Sequence, residues 1–153
     1  MRKFFWVLLL LLLGGCNLSN NPNSVVEDYL GRYQMLDDSI DIDYRDLAGD
    51  VNISNNDIDV FNYYIKKQYR NMSYDIKETS IDGDKAKVTV EVEVYNYKDA
   101  INNNSNYNDI LSSLASVKDK VVYTVNFNLR YRDDKWEIGS INKEVKSKLL
   151  GIY

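Results

Sequence analysis

The stretch KAKVTVEVEVY, residues 85–95, alternates polar and apolar side chains over its whole length. Successive side chains of a β-strand point to opposite faces of its sheet, so this period of two predicts a strand with one buried and one wet face. Tyr95 and Tyr97 are expected to extend the wet face with aromatic rings. The residues predicted to be buried are Ala86, Val88, Val90, Val92 and Val94.

Three further strands are predicted around this one from the same alternation. Two are expected at residues 74–78 and 121–131, with Glu78 on the same face as Tyr74 and Ile76, and the last is expected to begin with Trp136 and Ile138 and to continue toward Ile141. Asp82-Gly83-Asp84 and Asp133-Asp134 are turn sequences, and Gly139 is a candidate β-bulge. Because tight turns join antiparallel strands, the chain is expected to form two antiparallel hairpins.

Helical spacing of apolar residues precedes and separates these hairpins. Ser24 and Glu27 have the capping-box spacing and predict a first helix from Val25 to Leu36. A short helix or turn is expected to end near Gly49, and Ser54 is expected to cap a helix that runs to Asn71. Two further helices are expected at residues 107–117 and 142–153.

The order of these elements predicts an α+β domain over residues 24–153. Its N-terminal helices would cover the apolar side of a curved antiparallel sheet of about four strands. An N-terminal helix SVVEDYLGRYQ, a helical pair and antiparallel strands ending in YRDDKWEIGSI resemble small lipoproteins of the nuclear transport factor 2-like, cystatin-like-roll class. The resemblance implies a cone-like roll with a pocket, and a ferredoxin-like α+β sandwich is the alternative.

The first fifteen residues have the layout of a secretory signal. Arg2 and Lys3 give a positive start, ten apolar residues follow from Phe4 to Leu13, and Gly14 and Gly15 are small. A membrane-spanning helix needs about 20 apolar residues, roughly twice the length of this run. The pattern therefore predicts a signal peptide over residues 1–15 and not a membrane span.

Leu13-Gly14-Gly15-Cys16 resembles the lipobox of bacterial lipoproteins. The resemblance implies that Cys16 receives a diacylglycerol, that a peptidase cuts between Gly15 and Cys16, and that residues 16–23 form a lipidated tether. Two or more acyl chains anchor a protein stably, whereas one chain does not. The expected location is the cell membrane, with the domain facing outside the cytoplasm. The alternative is an ordinary secretory peptide with a chance cysteine after its cleavage site.

The composition narrows the function of the exported part. Removal of Arg2 and Lys3 with the signal leaves 17 basic and 23 acidic residues and a formal charge of −6, which argues against a nucleic-acid partner and against non-specific binding of anionic lipid headgroups. The chain has no histidine and one cysteine, so most nucleophile–base pairs and zinc or copper sites are excluded. We expect no cofactor and no catalytic or metal-binding residues.

Two groups of residues have both a functional and an ordinary interpretation. The acidic run from Asp37 to Asp50 offers carboxylates for calcium but lacks EF-hand spacing, so a solvated acidic surface is favoured. The thirteen tyrosines offer material for a binding groove, but several are expected to face the core, and amphipathic packing is favoured. The tyrosines expected to face the core are Tyr29, Tyr33, Tyr69, Tyr123 and Tyr131.

The predicted function is binding of an envelope protein or a small ligand, with no residue assigned to the binding site. Cone-shaped relatives include proton-transfer enzymes that resemble steroid isomerases and use Asp and Tyr in the pocket. The alternative is therefore a small-molecule enzyme with a carboxylate–tyrosine site, for which Glu78 is the nearest candidate. A purely structural or immunity-type surface protein is a third class.

Overall fold

The computed structural model of this chain describes residues 21–49, 53–104 and 106–153. Its elements in chain order are helices α1 (Pro22–Met35), α2 (Arg45–Ala48) and α3 (Asn55–Asn71), strands β1 (Ser73–Asp82) and β2 (Lys85–Tyr95), helices α4 (Lys98–Asn102) and α5 (Tyr107–Ser116), strands β3 (Lys120–Arg132) and β4 (Lys135–Ile138), and helix α6 (Lys143–Leu150). The predicted hairpins and the helices before, between and after them are confirmed. Helix α4 was not predicted.

The four strands form one antiparallel sheet in the order β1-β2-β3-β4. Val90 in β2 lies opposite Ile76 in β1 and Val125 in β3, and Leu129 in β3 lies opposite Ile138 in β4. Each strand thus pairs with its neighbour along the chain, unlike the alternating helices and strands of the ferredoxin-like alternative. The predicted α+β fold, with helices packed on a curved antiparallel sheet, is confirmed.

The helices cover one face of the sheet and the other face remains wet. Helix α1 contacts β1, β2 and β4, helix α3 contacts β2, and helix α6 contacts β2 and β3. The alternation predicted for residues 85–95 is confirmed, because the even-numbered side chains from Ala86 to Val94 are buried and the others are not. At about 25 cal/mol per Å² of apolar surface removed from water, this shared core is the main source of the fold's stability.

Helix α1 begins earlier than the capping pattern predicts. Asn21 is the N-cap, and its side chain accepts a hydrogen bond from the Ser24 backbone N–H at 2.8 Å, so Ser24 occupies the third helical position and not the cap. Pro22 fits the first turn because its missing N–H has no partner to lose there. Pro22 and Asn23 therefore belong to the helix, which begins three residues before the predicted start at Val25.

Strand β1 contains a bulge that was expected elsewhere. The pairing register shifts between Ile76 and Glu78, so Tyr74 and Ile76 face the helices but Glu78 pairs with Thr89 on the wet face. A bulge places one extra residue in a strand and turns the following side chains to the other face. The prediction that Glu78 shares a face with Ile76 is therefore wrong. Gly139 lies just beyond the end of β4, where its N–H donates to the Asn128 carbonyl at 2.8 Å.

The end of β2 also departs from its prediction. Tyr95 continues the wet face, but Tyr97 is fully buried and stacks beside the Tyr95 ring with centroids 6.0 Å apart. The chain has left the strand at this point, because helix α4 begins at Lys98. The alternation rule no longer applies to Tyr97.

Among residues 21–49, 53–104 and 106–153, no helix has the length and apolar character needed to cross a membrane.

Candidate binding groove on the outer face of the sheet

The two residues predicted to be processed lie outside the described part of the chain. Gly15 and Cys16 precede residue 21, where the structural description begins. Lipidation and cleavage therefore stay predictions. The structure instead bears on what the exported domain offers to a partner.

In one half of the wet sheet face, the lysines form ion pairs with acidic side chains on neighbouring strands. The Lys77 ammonium lies 2.8 Å from an Asp75 oxygen and 3.1 Å from a Glu91 oxygen. Across the next strand, the Lys120 ammonium lies 2.9 Å from a Glu93 oxygen. This ion pair is the main reason that the pKa of Glu93 lies below its usual value. Each lysine here meets an acid on a neighbouring strand, as is expected of a solvated sheet.

The other half of the wet face, next to the two hairpin turns, contains a concave surface. This outer groove has a volume of about 650 Å³, within the range of roughly 300–1,000 Å³ that is usual for small-molecule sites. All four strands contribute to it because their polar side chains alternate onto the same face. Its side chains include Ser80, Lys85, Lys87, Asn128, Arg130 and Arg132.

Four cations line the outer groove. Among the ion pairs of the described residues, none within 4 Å involves Lys85, Lys87, Arg130 or Arg132. Lys85 and Arg130 lie directly opposite each other on β2 and β3. Like charges at directly opposite positions destabilise a sheet, so the groove carries an electrostatic cost that the other half of this face does not.

Two carboxylates also line the outer groove. Glu137 lies opposite Arg130 in the pairing of β3 with β4, but its oxygen is 2.9 Å from the Lys135 ammonium. Lys135 holds the pKa of Glu137 below its usual value, with a smaller contribution from Arg132. Asp82 lies opposite Lys85 in the backbone pairing of β1 with β2, next to the turn that joins these strands. The groove thus combines an excess of cations with two acceptors, to which Ser80, Asn128 and Ser140 add neutral polar groups.

A second, smaller cavity lies under the helices. This tyrosine cavity, of about 190 Å³, is lined by Tyr29 and Tyr33 of α1, Tyr69 of α3, Asp46 of α2 and Lys146 of α6, among others. The Tyr29 and Tyr33 hydroxyl oxygens are 2.9 Å apart and hydrogen-bonded. The Tyr33 and Tyr69 rings meet edge to face, with centroids 4.8 Å apart. The cavity brings two carboxylates, Asp41 and Asp46, close to three phenols.

Burial controls ionisation in the tyrosine cavity. Desolvation raises the pKa of Asp46, although the Lys146 ammonium opposes this shift. Desolvation also raises the pKa of Tyr69 and Tyr29, and the hydrogen bond with Tyr33 raises that of Tyr29 further. The phenols of Tyr29 and Tyr69 are thus neutral near pH 7, and Asp46 is the cavity carboxylate whose charge desolvation disfavours.

The acidic segment after α1 is organised by local hydrogen bonds. Asp37 accepts from the Ser39 backbone and hydroxyl at 2.9 and 2.6 Å, which lowers its pKa. Asp43 is bonded in the same way by Arg45, which also lowers its pKa. In the described residues, which omit 50–52, no three acidic, His or Cys side chains are grouped closely enough to hold a metal ion.

The predictions for the tyrosines and for Glu78 have mixed outcomes. Tyr33 and Tyr69 are buried and Tyr29 and Tyr123 pack against the core, as predicted. Tyr131 is 38% exposed, so its predicted place in the core is wrong; it lies near the end of β3 beside the Trp136 ring. Glu78 lies on the exposed wet face, away from the tyrosine cavity, because of the bulge in β1.

The four cations of the outer groove were missed at the sequence level although their signal is present. Lys85 and Lys87 are two residues apart on β2, and Arg130 and Arg132 are two residues apart on β3. Such spacing places each pair on one face. Only the register of β2 with β3 brings the two pairs together.

The chain matches no family model, no curated protein and no solved structure.

Proposed function

We propose that this chain is an exported lipoprotein whose domain is held at the membrane by lipid on Cys16 and binds a partner through the wet face of its sheet. The N-terminal part of the proposal comes from the signal layout and from Leu13-Gly14-Gly15-Cys16. Membership of the nuclear transport factor 2-like class stays a prediction, supported by a curved sheet with helices on one side.

The contrast between the two sheet faces carries the binding part of the proposal. The helix-covered face is filled by Val88, Val90, Val92 and Phe127, each at most 1% exposed. The wet face carries the larger cavity, with four cations that lack acidic partners among the described residues. A filled core and an open polar groove favour recognition at the surface over chemistry in a cone.

Replacement of Cys16 tests the anchor. In cells fed with radioactive fatty acid, Cys16→Ala should abolish labelling and leave a precursor that retains residues 1–15. The reason is that the variant lacks the sulfur atom to which the lipid would be joined. Asn17→Ala, one residue away, serves as the control and should be labelled and cleaved like the original chain. Labelling that survives Cys16→Ala would refute the anchor.

A small-molecule enzyme is the second candidate, and the tyrosine cavity is the observation that favours it. Asp46, with its raised pKa, is a suitable general base beside neutral phenols that can donate to a developing oxyanion. The cavity of about 190 Å³ is smaller than most ligand sites, which is why this function takes second place.

Proton abstraction next to a carbonyl tests this second candidate. The purified chain would be incubated with small ketones in heavy water, and deuterium uptake at the adjacent carbon would be followed by NMR. Catalysed exchange that is lost in Asp46→Asn but kept in Asp43→Asn would support an enzyme. Exchange at the uncatalysed rate would exclude this reaction.

A further inference from the structure

We propose that the outer groove binds a phosphate ester that also carries hydroxyl groups, such as a phosphorylated glycerol. The proposal deepens the binding role proposed above, on which it rests, by naming the chemistry of the ligand. It follows from the charges that line the groove, the room between them and the position of the groove relative to the N-terminus.

The cations of the outer groove suit a ligand with more than one negative oxygen. Lys85, Lys87, Arg130 and Arg132 approach from two neighbouring strands, and Lys85 and Arg130 lie at directly opposite positions. An anion between them would remove their mutual repulsion. A phosphate group offers several charged oxygens in different directions and matches the fork of an arginine, so it can contact cations on both strands at once.

The remaining polar groups of the groove fit hydroxyls. Asp82 and Glu137 are acceptors, and Ser80, Asn128 and Ser140 can donate or accept. Carboxylates would repel a bare phosphate, but they can accept hydrogen bonds from hydroxyls next to it. With a volume of about 650 Å³, the groove accommodates both parts of such a ligand.

The paired half of the same sheet face shows that these cations are not a general property of the sheet. Lys77 and Lys120 both meet carboxylates within 3 Å there. The chain has more acidic than basic residues, so acidic side chains are available that could pair with the groove cations as they do with Lys77 and Lys120. Lys77 also supplies a matched control, since its loss removes one charge from the same face outside the groove.

The groove lies close to the point where the chain enters the domain. The Thr79 hydroxyl donates to the Asn23 side-chain oxygen, and Ser80, the next residue, lines the groove. Five residue steps lead from Cys16 to Asn21, the cap of α1, and span at most about 18 Å when extended. If Cys16 carries lipid, the groove is therefore within reach of membrane headgroups. The phosphate ester can come from a lipid headgroup or from a free metabolite.

Equilibrium dialysis with labelled glycerol phosphate tests the free source. The full chain as isolated from cells should bind glycerol phosphate, and glycerol should not compete. Arg130→Gln should weaken binding about tenfold or more, because a charge-assisted pair of hydrogen bonds is lost. Lys77→Gln should leave the affinity within about twofold.

A photoreactive phosphatidylglycerol tests the lipid source. With the chain inserted in phosphatidylcholine vesicles that contain this lipid, mass spectrometry should find the label within residues 80–87 or 128–140. Arg130→Gln should reduce labelling about tenfold and Lys77→Gln should not. Labelling without dialysis binding would assign the ligand to the membrane, and dialysis binding without labelling would assign it to a free metabolite.

The two arms separate failure of this inference from failure of the proposed anchor. Dialysis does not require lipid on Cys16. If the chain isolated from its own cells carries no lipid but still binds, the missing lipid would refute the anchor and the binding would support the groove. A lipidated chain that shows neither binding nor labelling would overturn the groove alone. Equal losses in Arg130→Gln and Lys77→Gln would also overturn it, because they would mean non-specific attraction.

Discussion

Gln68 is the residue on which three separate parts of the fold meet. Its side-chain nitrogen donates to the Tyr95 carbonyl at 2.8 Å and the Leu150 carbonyl at 2.7 Å, and its oxygen accepts from the Tyr95 N–H at 2.8 Å. The side chain is fully buried. One amide thus joins α3 to the ends of β2 and α6, and an unpaired group here would cost far more than at the surface.

Gly151 shows how closely these parts approach. Its φ of +72° favours glycine, and a Cβ at this position would lie 2.0 Å from the Tyr95 carbonyl oxygen and 2.5 Å from the Gln68 nitrogen. No other residue fits without movement of the backbone. The buried amide and the glycine therefore act together in holding the C-terminal helix against the sheet.

Replacement of Gln68 by leucine should lower the free energy of unfolding by about 3 kcal/mol or more, because two carbonyls and one N–H lose their buried partner. Gln34→Leu is the control, since this half-buried glutamine makes a single bond to the Met72 carbonyl, and we expect a loss of about 1 kcal/mol. Urea denaturation followed by circular dichroism measures both. Equal losses would mean that Gln68 is not a special junction.

Strand β2 is the element that determines which face of the sheet is buried. Val90 is fully buried between Ile76 and Val125, whereas Glu91 lies on the wet face next to Lys77. Val90→Asp should unfold the domain, because burying a carboxylate costs several kcal/mol, comparable with the roughly 5–15 kcal/mol that stabilises a domain.

Glu91→Gln is the matched control for Val90→Asp. It breaks only an exposed ion pair and should change the free energy of unfolding by at most about 1 kcal/mol. Thermal melts followed by far-ultraviolet circular dichroism compare the two variants. Similar melting temperatures for both would contradict the assigned register of the sheet.

Elements with strict periodicity could be predicted from the sequence, and local irregularities could not. The turns at residues 82–84 and 133–134 and the alternation of β2 and β3 depend on neighbouring residues alone. The bulge at Ile76 and Glu78 depends on the pairing of β1 with β2, which no single strand encodes. The start of α1 was misplaced because Ser24 and Glu27 have the capping-box spacing, whereas in the structure Asn21 is the cap and Ser24 is the third helical residue.

The candidate site was harder to predict than the fold, because it exists only at the scale of the whole molecule. The outer groove needs Ser80, Lys85, Arg130 and Glu137 from four different strands. Each is an ordinary polar residue of a wet sheet face when considered within its own strand. Only strand order and register show that Lys85 lies opposite Arg130 and that Glu91 and Glu137, on the same face, form ion pairs with other lysines.

The buried tyrosines make the folded state sensitive to alkali. Desolvation raises the pKa of Tyr29, Tyr69 and Tyr97 above the ordinary value of about 10. The unfolded chain therefore loses these protons at lower pH than the folded chain. Stability that is fully present below pH of about 10 is lost as the pH rises above that value.

A titration from pH 8 to pH 12 tests this sensitivity, with tyrosinate absorbance and circular dichroism recorded together. The buried tyrosines should ionise only as the circular dichroism signal of the fold disappears. Ionisation of all thirteen tyrosines near pH 10 with an unchanged fold would contradict their burial.

Mass spectrometry of the N-terminal peptide of the protein isolated from its own cells decides whether Cys16 carries the lipid anchor. We expect a peptide that begins at Cys16, lacks residues 1–15 and carries the mass of a diacylglycerol on the cysteine sulfur. A peptide that still begins at Met1, or that contains an unmodified Cys16, would contradict it.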